Sequence, residues 1–174
     1  SEKGLATSRQ DAVLLACRSV VEYQTGDFKA GEGYLERLLN TVGWDPSASS
    51  TPRAFLPHFA TPAIVIPIAA YIAGSGNKLE VAEAITRSVE ESAFAHPGPL
   101  HGVHIGQAFT VVLRNDISSA GRLYHSLAPI SGTVWPQCPV GPGVSTDRVL
   151  GLLAHTMGEL DQAIGHFEAA MNFC

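Results

Sequence analysis

Charge is what this chain has least of. Asp, Glu, Lys and Arg make up only 16% of its 174 residues, and the balance is acidic, with a formal net charge of −5. No run of Lys or Arg occurs anywhere. Nucleic-acid backbones are bound by clustered cations that neutralise phosphates, so DNA or RNA is not expected as a partner. Cysteine is scarce too: Cys17, Cys138 and Cys174 are odd in number, widely spaced and form no C-x-x-C pair. That excludes a disulfide framework and reads as thiols held in a reducing compartment. A long apolar run is also missing. The most apolar stretch, residues 63–73, is about half the length a membrane-crossing helix needs. The polar start SEKGLATSRQ lacks the apolar segment of a secretory signal. A cytoplasmic protein with no membrane partner is the expectation.

Signatures of catalysis are equally thin. GSGNK at residues 74–78 lacks the Gly-Lys-Ser/Thr ending of a phosphate loop, and no G-x-S-x-G elbow occurs. Carboxylates are spread along exposed helical faces, without a pair placed for acid–base work. The acidic run ending in Glu90-Glu91 reads as a solvated face. His96, His101 and His104 fall within nine residues, and His101 and His104 share the i, i+3 spacing that zinc sites use. A third and fourth ligand are not placed by sequence to join them. His155 and His166 read as solvent-facing. No enzyme, no cofactor and no metal are expected; a metal-dependent helical enzyme using His101 and His104 is the rival that this pattern leaves.

What the chain does have is apolar residues, 45% of the total, set at helical spacing. At the C-terminal end, Leu150, Leu153, Ala154 and Met157 form one stripe, Gly158 allows an exit with positive φ, and Ala163, Phe167, Ala170 and Met171 form a second stripe. Small residues at Gly151, Ala154, Ala163 and Ala170 permit close approach, which describes a helical hairpin. Upstream, helices are expected at residues 8–23, 28–42, 79–92, 103–113 and 116–127. Pro57, Pro62 and Pro67 complicate residues 54–74, where a helix kinked at Pro67 is preferred over a buried strand because no strand partner is evident. Residues 44–53, AHPGPLHG and SGTVWPQCPVGPG read as irregular connections. Gly26, Gly76, Asn115 and Gly158 mark the turns, 50, 39 and 43 residues apart, and Asp116 or Ser118 is placed to cap the helix after Asn115.

The pattern Leu150-Gly151, Ala154, Gly158, Ala163, Phe167 and Ala170 resembles one tetratricopeptide repeat, a helix–turn–helix unit of about 34 residues. It departs at Asp147, where the family often has a large aromatic, and in having no Pro after Met171. The resemblance implies an all-α fold, a short α-α superhelix of about four hairpins over residues 8–42, 60–92, 101–128 and 145–174. Loose repeats with such turns look like the C-terminal arrays of signalling ATPases, transcriptional activators and nucleotide cyclases. The start without Met and the stop at Cys174 after an uncapped apolar face raise the expectation of a piece of a longer regulator.

In such stacks the first helix of each pair lines the concave face. Carried across by register, the groove residues are Ile66 and Ala70, then Ile105, Phe109 and Val112, then Arg148, Leu152 and His155. An exposed apolar groove of this kind marks a binding site, unless the Pro-rich segment or further repeats cover it. The function implied is a non-catalytic interaction and scaffolding module, binding a protein, a peptide or another domain of its own chain, with a homodimer as a further possibility. The alternative is a small-molecule sensor with an apolar pocket between the central helices.

Overall fold

A computed structural model describes residues 2–45, 57–92, 97–135 and 143–172. The described residues form eight α-helices in four consecutive pairs, with one small strand pair. The first pair is α1 (Glu2–Thr25) and α2 (Phe28–Val42), and the second is α3 (Thr61–Ala73) and α4 (Leu79–Glu90). The third is α5 (Pro97–Arg114) and α6 (Ile117–Leu127), and the fourth is α7 (Thr146–Met157) and α8 (Leu160–Asn172). Each helix packs on the next along the chain, and α1, α3, α5 and α7 also pack on one another in that order. The expected all-α class is observed. Of the expected connections, residues 46–53, 93–96 and 136–142 lie outside the described residues.

Three of the four turns share the same hydrogen bonds throughout; the second shares only the pair that ends its helix, from the N–H of Gly74 to Tyr71 and of Ser75 to Ala70. The N–H of Gly26 donates to Tyr23 and that of Asp27 to Glu22; Asn115 and Asp116 donate to Val112 and Val111; Gly158 and Glu159 donate to His155 and Ala154. In each turn the first residue is left-handed, with φ of 86°, 51° and 82°. Glycine or Asn accepts that geometry at least cost, and the bonds satisfy carbonyls that the ended helix leaves open. The acid that follows then accepts, through its backbone carbonyl, the N–H of Gly31, Ala120 or Ala163. All three of these small residues are buried, where a larger side chain would hold the two helices apart. Asp27 and Asp116 add side-chain caps, accepting from Ala30 and Ser119 at 2.9 and 3.1 Å.

The second turn is longer and corrects the expected marker. Gly74 (φ 63°) ends α3 and Lys78 (φ 61°) opens α4, while Gly76 is not left-handed. The Lys78 carbonyl accepts the N–H of Ala82, again small and buried. Two further boundaries move. α1 starts well before residue 8, and α5 takes in the Pro97-Gly98-Pro99 stretch that reads as loop, because proline is tolerated in a first turn where its missing N–H has no helical partner. The connection after α6 is not wholly irregular. A 3₁₀ turn (Ala128–Ile130) leads to β1 (Val134–Trp135), which pairs antiparallel with β2 (Val144–Ser145).

Residues 61–73 are helical, as preferred over a strand, and α3 runs on through Pro67. The proline has no N–H, so the carbonyl four residues earlier, that of Ala63, lacks its helical donor. α5 comes closest to α3 at that point. A Cβ on Gly106 would overlap the Ala63 carbonyl oxygen and stand 3.0 Å from the Ile64 Cα. Only glycine lets the two backbones meet there, and its Cα–H faces the carbonyl that Pro67 left open. Ile66, Ile105 and Phe59, all fully or almost fully buried, fill the core around this junction.

Candidate ligand-binding cleft

The inner side of α1 carries Val13, Cys17, Val20 and Gln24 at i, i+4, i+7 and i+11 spacing, and this stripe faces a cleft of about 310 Å³. The opposite wall is α3, with Thr61, Val65, Ile68 and Ile72. Tyr71 and Phe109 meet with ring centroids 5.2 Å apart and join α3 to α5 beside the cleft. The rim is closed by Gly143, Val144 and Arg148. First helices of all four pairs therefore contribute. Among the described residues the lining is apolar apart from a few neutral polar groups and a single cation, and contains no carboxylate.

The rim is held by an unusually complete set of bonds. Ser145 caps α7 by accepting the N–H of Arg148, and the Thr146 N–H donates to the Thr133 carbonyl at 2.9 Å. The Thr133 and Thr146 hydroxyls bond at 2.9 Å. Asp147, which is buried, accepts from the Ser131 hydroxyl and the Gly132 N–H, both at 2.7 Å, and lies 3.0 Å from Nδ1 of His166. His166 Nε2 in turn meets the Tyr124 hydroxyl at 2.8 Å. Burial pushes the Asp147 carboxyl up, but the bonds from Ser131, Gly132 and His166, with the nearby imidazole charge, outweigh it and hold the group below the usual carboxylate range. His166 is thus half-buried and bridging, not solvent-facing as its sequence context implied. Asp147, the departure from the repeat pattern, fastens the loop before β1 to α7 and α8.

Of the eight residues assigned to a groove by register, Phe109 and Arg148 line the cleft. Ile66, Ala70 and Ile105 are core, closed off because α3 and α5 approach backbone to backbone at Gly106. Val112 and Leu152 are half-buried against the core, and His155 is exposed on α7. The α1 stripe was not among them, although its spacing was legible, because the same spacing reads equally well as core; Ala16 and Val20 on it are in fact buried.

A second depression, about 430 Å³, lies between α4, α5 and α6 and is polar. Its charged groups are engaged with one another. Arg114 pairs with Glu83, Gln107 donates to Glu90 at 3.1 Å, Arg122 donates to Ser119 at 2.9 Å, and His104 Nδ1 lies 3.1 Å from the Ser126 hydroxyl. Burial, opposed by Glu90 and reinforced by His101, holds the His104 imidazole below its ordinary value. Each of these groups already has a partner among the described residues. Among the described residues no group of three His, Cys, Asp or Glu side chains comes together as a metal site, and no helix is long and apolar enough to cross a membrane. His96 lies outside the described residues.

No family model, curated protein or solved structure matches this chain.

Proposed function

We propose that this is a non-catalytic, tetratricopeptide-like stack of four hairpins that serves as the ligand-sensing module of a larger cytoplasmic regulatory protein. The observation that carries the reading is the cleft itself. It lies on the side lined by the first helices, is mostly apolar, and at about 310 Å³ has the lower-end volume of small-molecule sites. The register-derived groove is filled by core residues along α3 and α5, which leaves less room for an extended peptide than an open concave face would. The hydrogen bonds that recur in the turns support the repeat reading.

The test is a screen of chemically diverse small molecules by stabilisation against heat, since a ligand that binds only the folded state raises its stability by mass action. Genuine hits should slow alkylation of Cys17, which lines the cleft, and should lose their effect in Cys17→Trp, which fills it. Stabilisation that persists in the filled variant would remove this reading.

A second reading, a scaffolding surface, is favoured by a separate observation. Leu160, Ile164 and Met171 on α8 are all more than half exposed and fall on one face of the helix. Light scattering over a concentration series tests it: a dimer that Ile164→Asp converts to monomer supports self-association through α8, and a monomer at every concentration rejects it.

A further inference from the structure

Resting on the ligand-sensing reading, the geometry points to the chemical class of the ligand: we propose that the cleft takes a small monocarboxylate with an apolar body, its anion held by Arg148. The lining is dominated by Val13, Val20, Val65, Ile68, Ile72 and Val144, which offer dispersion contacts and no charge. Arg148 is the one ionised side chain on it among the described residues. The guanidinium is exposed at the rim and makes no ion pair or hydrogen bond among the described residues.

Arg87 on α4 is likewise exposed without a side-chain bond among the described residues, but it stands in the last turn of its helix, where a cation suits the macrodipole, and it does not line the cleft. Arg18, Arg114 and Arg122, also exposed, are bonded to Glu22, Glu83 and Ser119. Arg148 also stands in the first turn of α7, where the helix macrodipole already presents positive potential and a further cation is unfavourable. The acid in the same turn, Asp147, is turned to Ser131, Gly132 and His166. A cation placed against the dipole, without a side-chain bond among the described residues and on the rim of an apolar cleft, is locally complementary to an anion, against the chain's net charge of −5. A guanidinium fits a carboxylate with two parallel N–H···O bonds. The neutral donors of Gln24, Thr61 and Tyr71, which have no hydrogen bond among the described residues, supply further polar contacts at the walls.

The cleft sets the size. It accommodates one short chain or ring system and not a branched polyanion, whose second charge would have no counter-ion among the described lining residues. An organic cation is disfavoured by Arg148, and a neutral alcohol of the same length would gain the apolar contacts alone.

The experiment uses the full chain and three probes with the same ten-carbon tail: decanoate, 1-decanol and decylammonium. Binding is read by calorimetry and by protection of Cys17 from iodoacetamide, resolved from Cys138 and Cys174 by peptide mass spectrometry. Decanoate should bind with a stoichiometry of one and protect Cys17, with decanol about tenfold weaker and decylammonium weaker still. Arg148→Gln, an exposed substitution, should bring decanoate down to the affinity of decanol and leave decanol unchanged, whereas Arg122→Gln should alter neither. Equal binding of decanoate and decanol by the native chain, or an undiminished preference in Arg148→Gln, overturns the carboxylate assignment while leaving the cleft as a ligand site. Failure of every probe to protect Cys17 overturns the ligand-sensing reading and the assignment with it.

Discussion

The first and last hairpins bring their helices together by the same device with the roles exchanged. In the first, the glycine is on the second helix: a Cβ on Gly31 would stand 2.5 Å from the Tyr23 ring. In the last, the glycine is on the first helix, and a Cβ on Gly151 would stand 2.6 Å from the Phe167 ring. Each hairpin also reaches its neighbour by a polar chain. The Tyr23 hydroxyl donates to Glu32 at 3.0 Å, and Glu32 pairs with Lys78 at the start of α4. At the other end, Asp147 and His166 reach Tyr124 of α6. Between them, α3 and α5 meet backbone to backbone at Gly106 and the Ala63 carbonyl, with the Tyr71 and Phe109 rings in contact further along. Close approach is thus reached in two ways: a ring over a glycine can shift, and two backbones in contact cannot.

The sharpest test of that contrast is Gly106→Ala. With backbone on the far side, the added methyl must push α3 and α5 apart, and we expect a loss of more than about 3 kcal/mol in urea unfolding, or no folded protein. A loss no greater than that of Gly31→Ala would break the distinction. Next in size is Asp147→Ala, which leaves the Ser131 hydroxyl and Gly132 N–H without their acceptor and His166 without its partner. The expected cost is about 2–3 kcal/mol by thermal unfolding. His166→Ala should cost less, because the two bonds from the loop remain.

The two polar chains should also part company in alkali. Burial first, then the bond to Glu32 and its charge, push the Tyr23 phenol up to about 12. Between the ordinary tyrosine value and that one, the unfolded chain has lost the proton and the folded chain keeps it, so stability falls as pH rises through this window. The fall should be about 2 kcal/mol and should disappear in Tyr23→Phe; an unchanged alkaline slope in that variant would show the loss arises elsewhere. In acid the ends behave alike. The Glu32 carboxyl, pushed up by burial but more strongly lowered by Lys78 and Tyr23, lies below its ordinary value, as Asp147 does. Both contributions are complete above the unfolded carboxylate range and are lost as pH falls through the depressed folded values.

A smaller comparison lies between the two ring-covered glycines. Gly31→Ala should cost about 1–2 kcal/mol, since Tyr23 is buried and tied to Glu32. Gly151→Ala should cost about half as much, because Phe167 is only half-buried and has no polar anchor. The smallest effect has the opposite sign. Nothing lies within 4 Å of a Cβ at Gly165, so Gly165→Ala should stabilise α8 by about 0.5–1 kcal/mol, read as a rise in thermal midpoint.

Much of the local structure was legible from residue types. The bounds of α2 are those read from its apolar spacing, and the turns at Gly26, Asn115 and Gly158 follow from the need for a left-handed residue after a helix. Asp116 caps α6 because a short acid before a helix accepts an open N–H. Where reading failed, the deciding partner was distant in sequence. Gly76 competed with Gly74 and Lys78 inside one glycine-rich turn, and the prolines before α5 proved compatible with its first turn. His166 on its own helix looks solvent-facing; its partners Asp147 and Tyr124 lie 19 and 42 residues away.

By itself, then, the sequence determined the all-α class, most of the helices and three of the four turns, because each rests on backbone preferences and periodicity within a few residues. Tertiary structure alone decided which apolar positions became core and which lined a cleft, since α1, α3, α5 and α7 carry similar stripes and only the way they pack tells them apart. It also made Gly106 the partner of Ala63, turned Asp147 toward His166, and left Arg148 at the rim of the cleft without a side-chain bond among the described residues. Those outcomes depend on where distant backbones come to lie, and no local propensity encodes that distance.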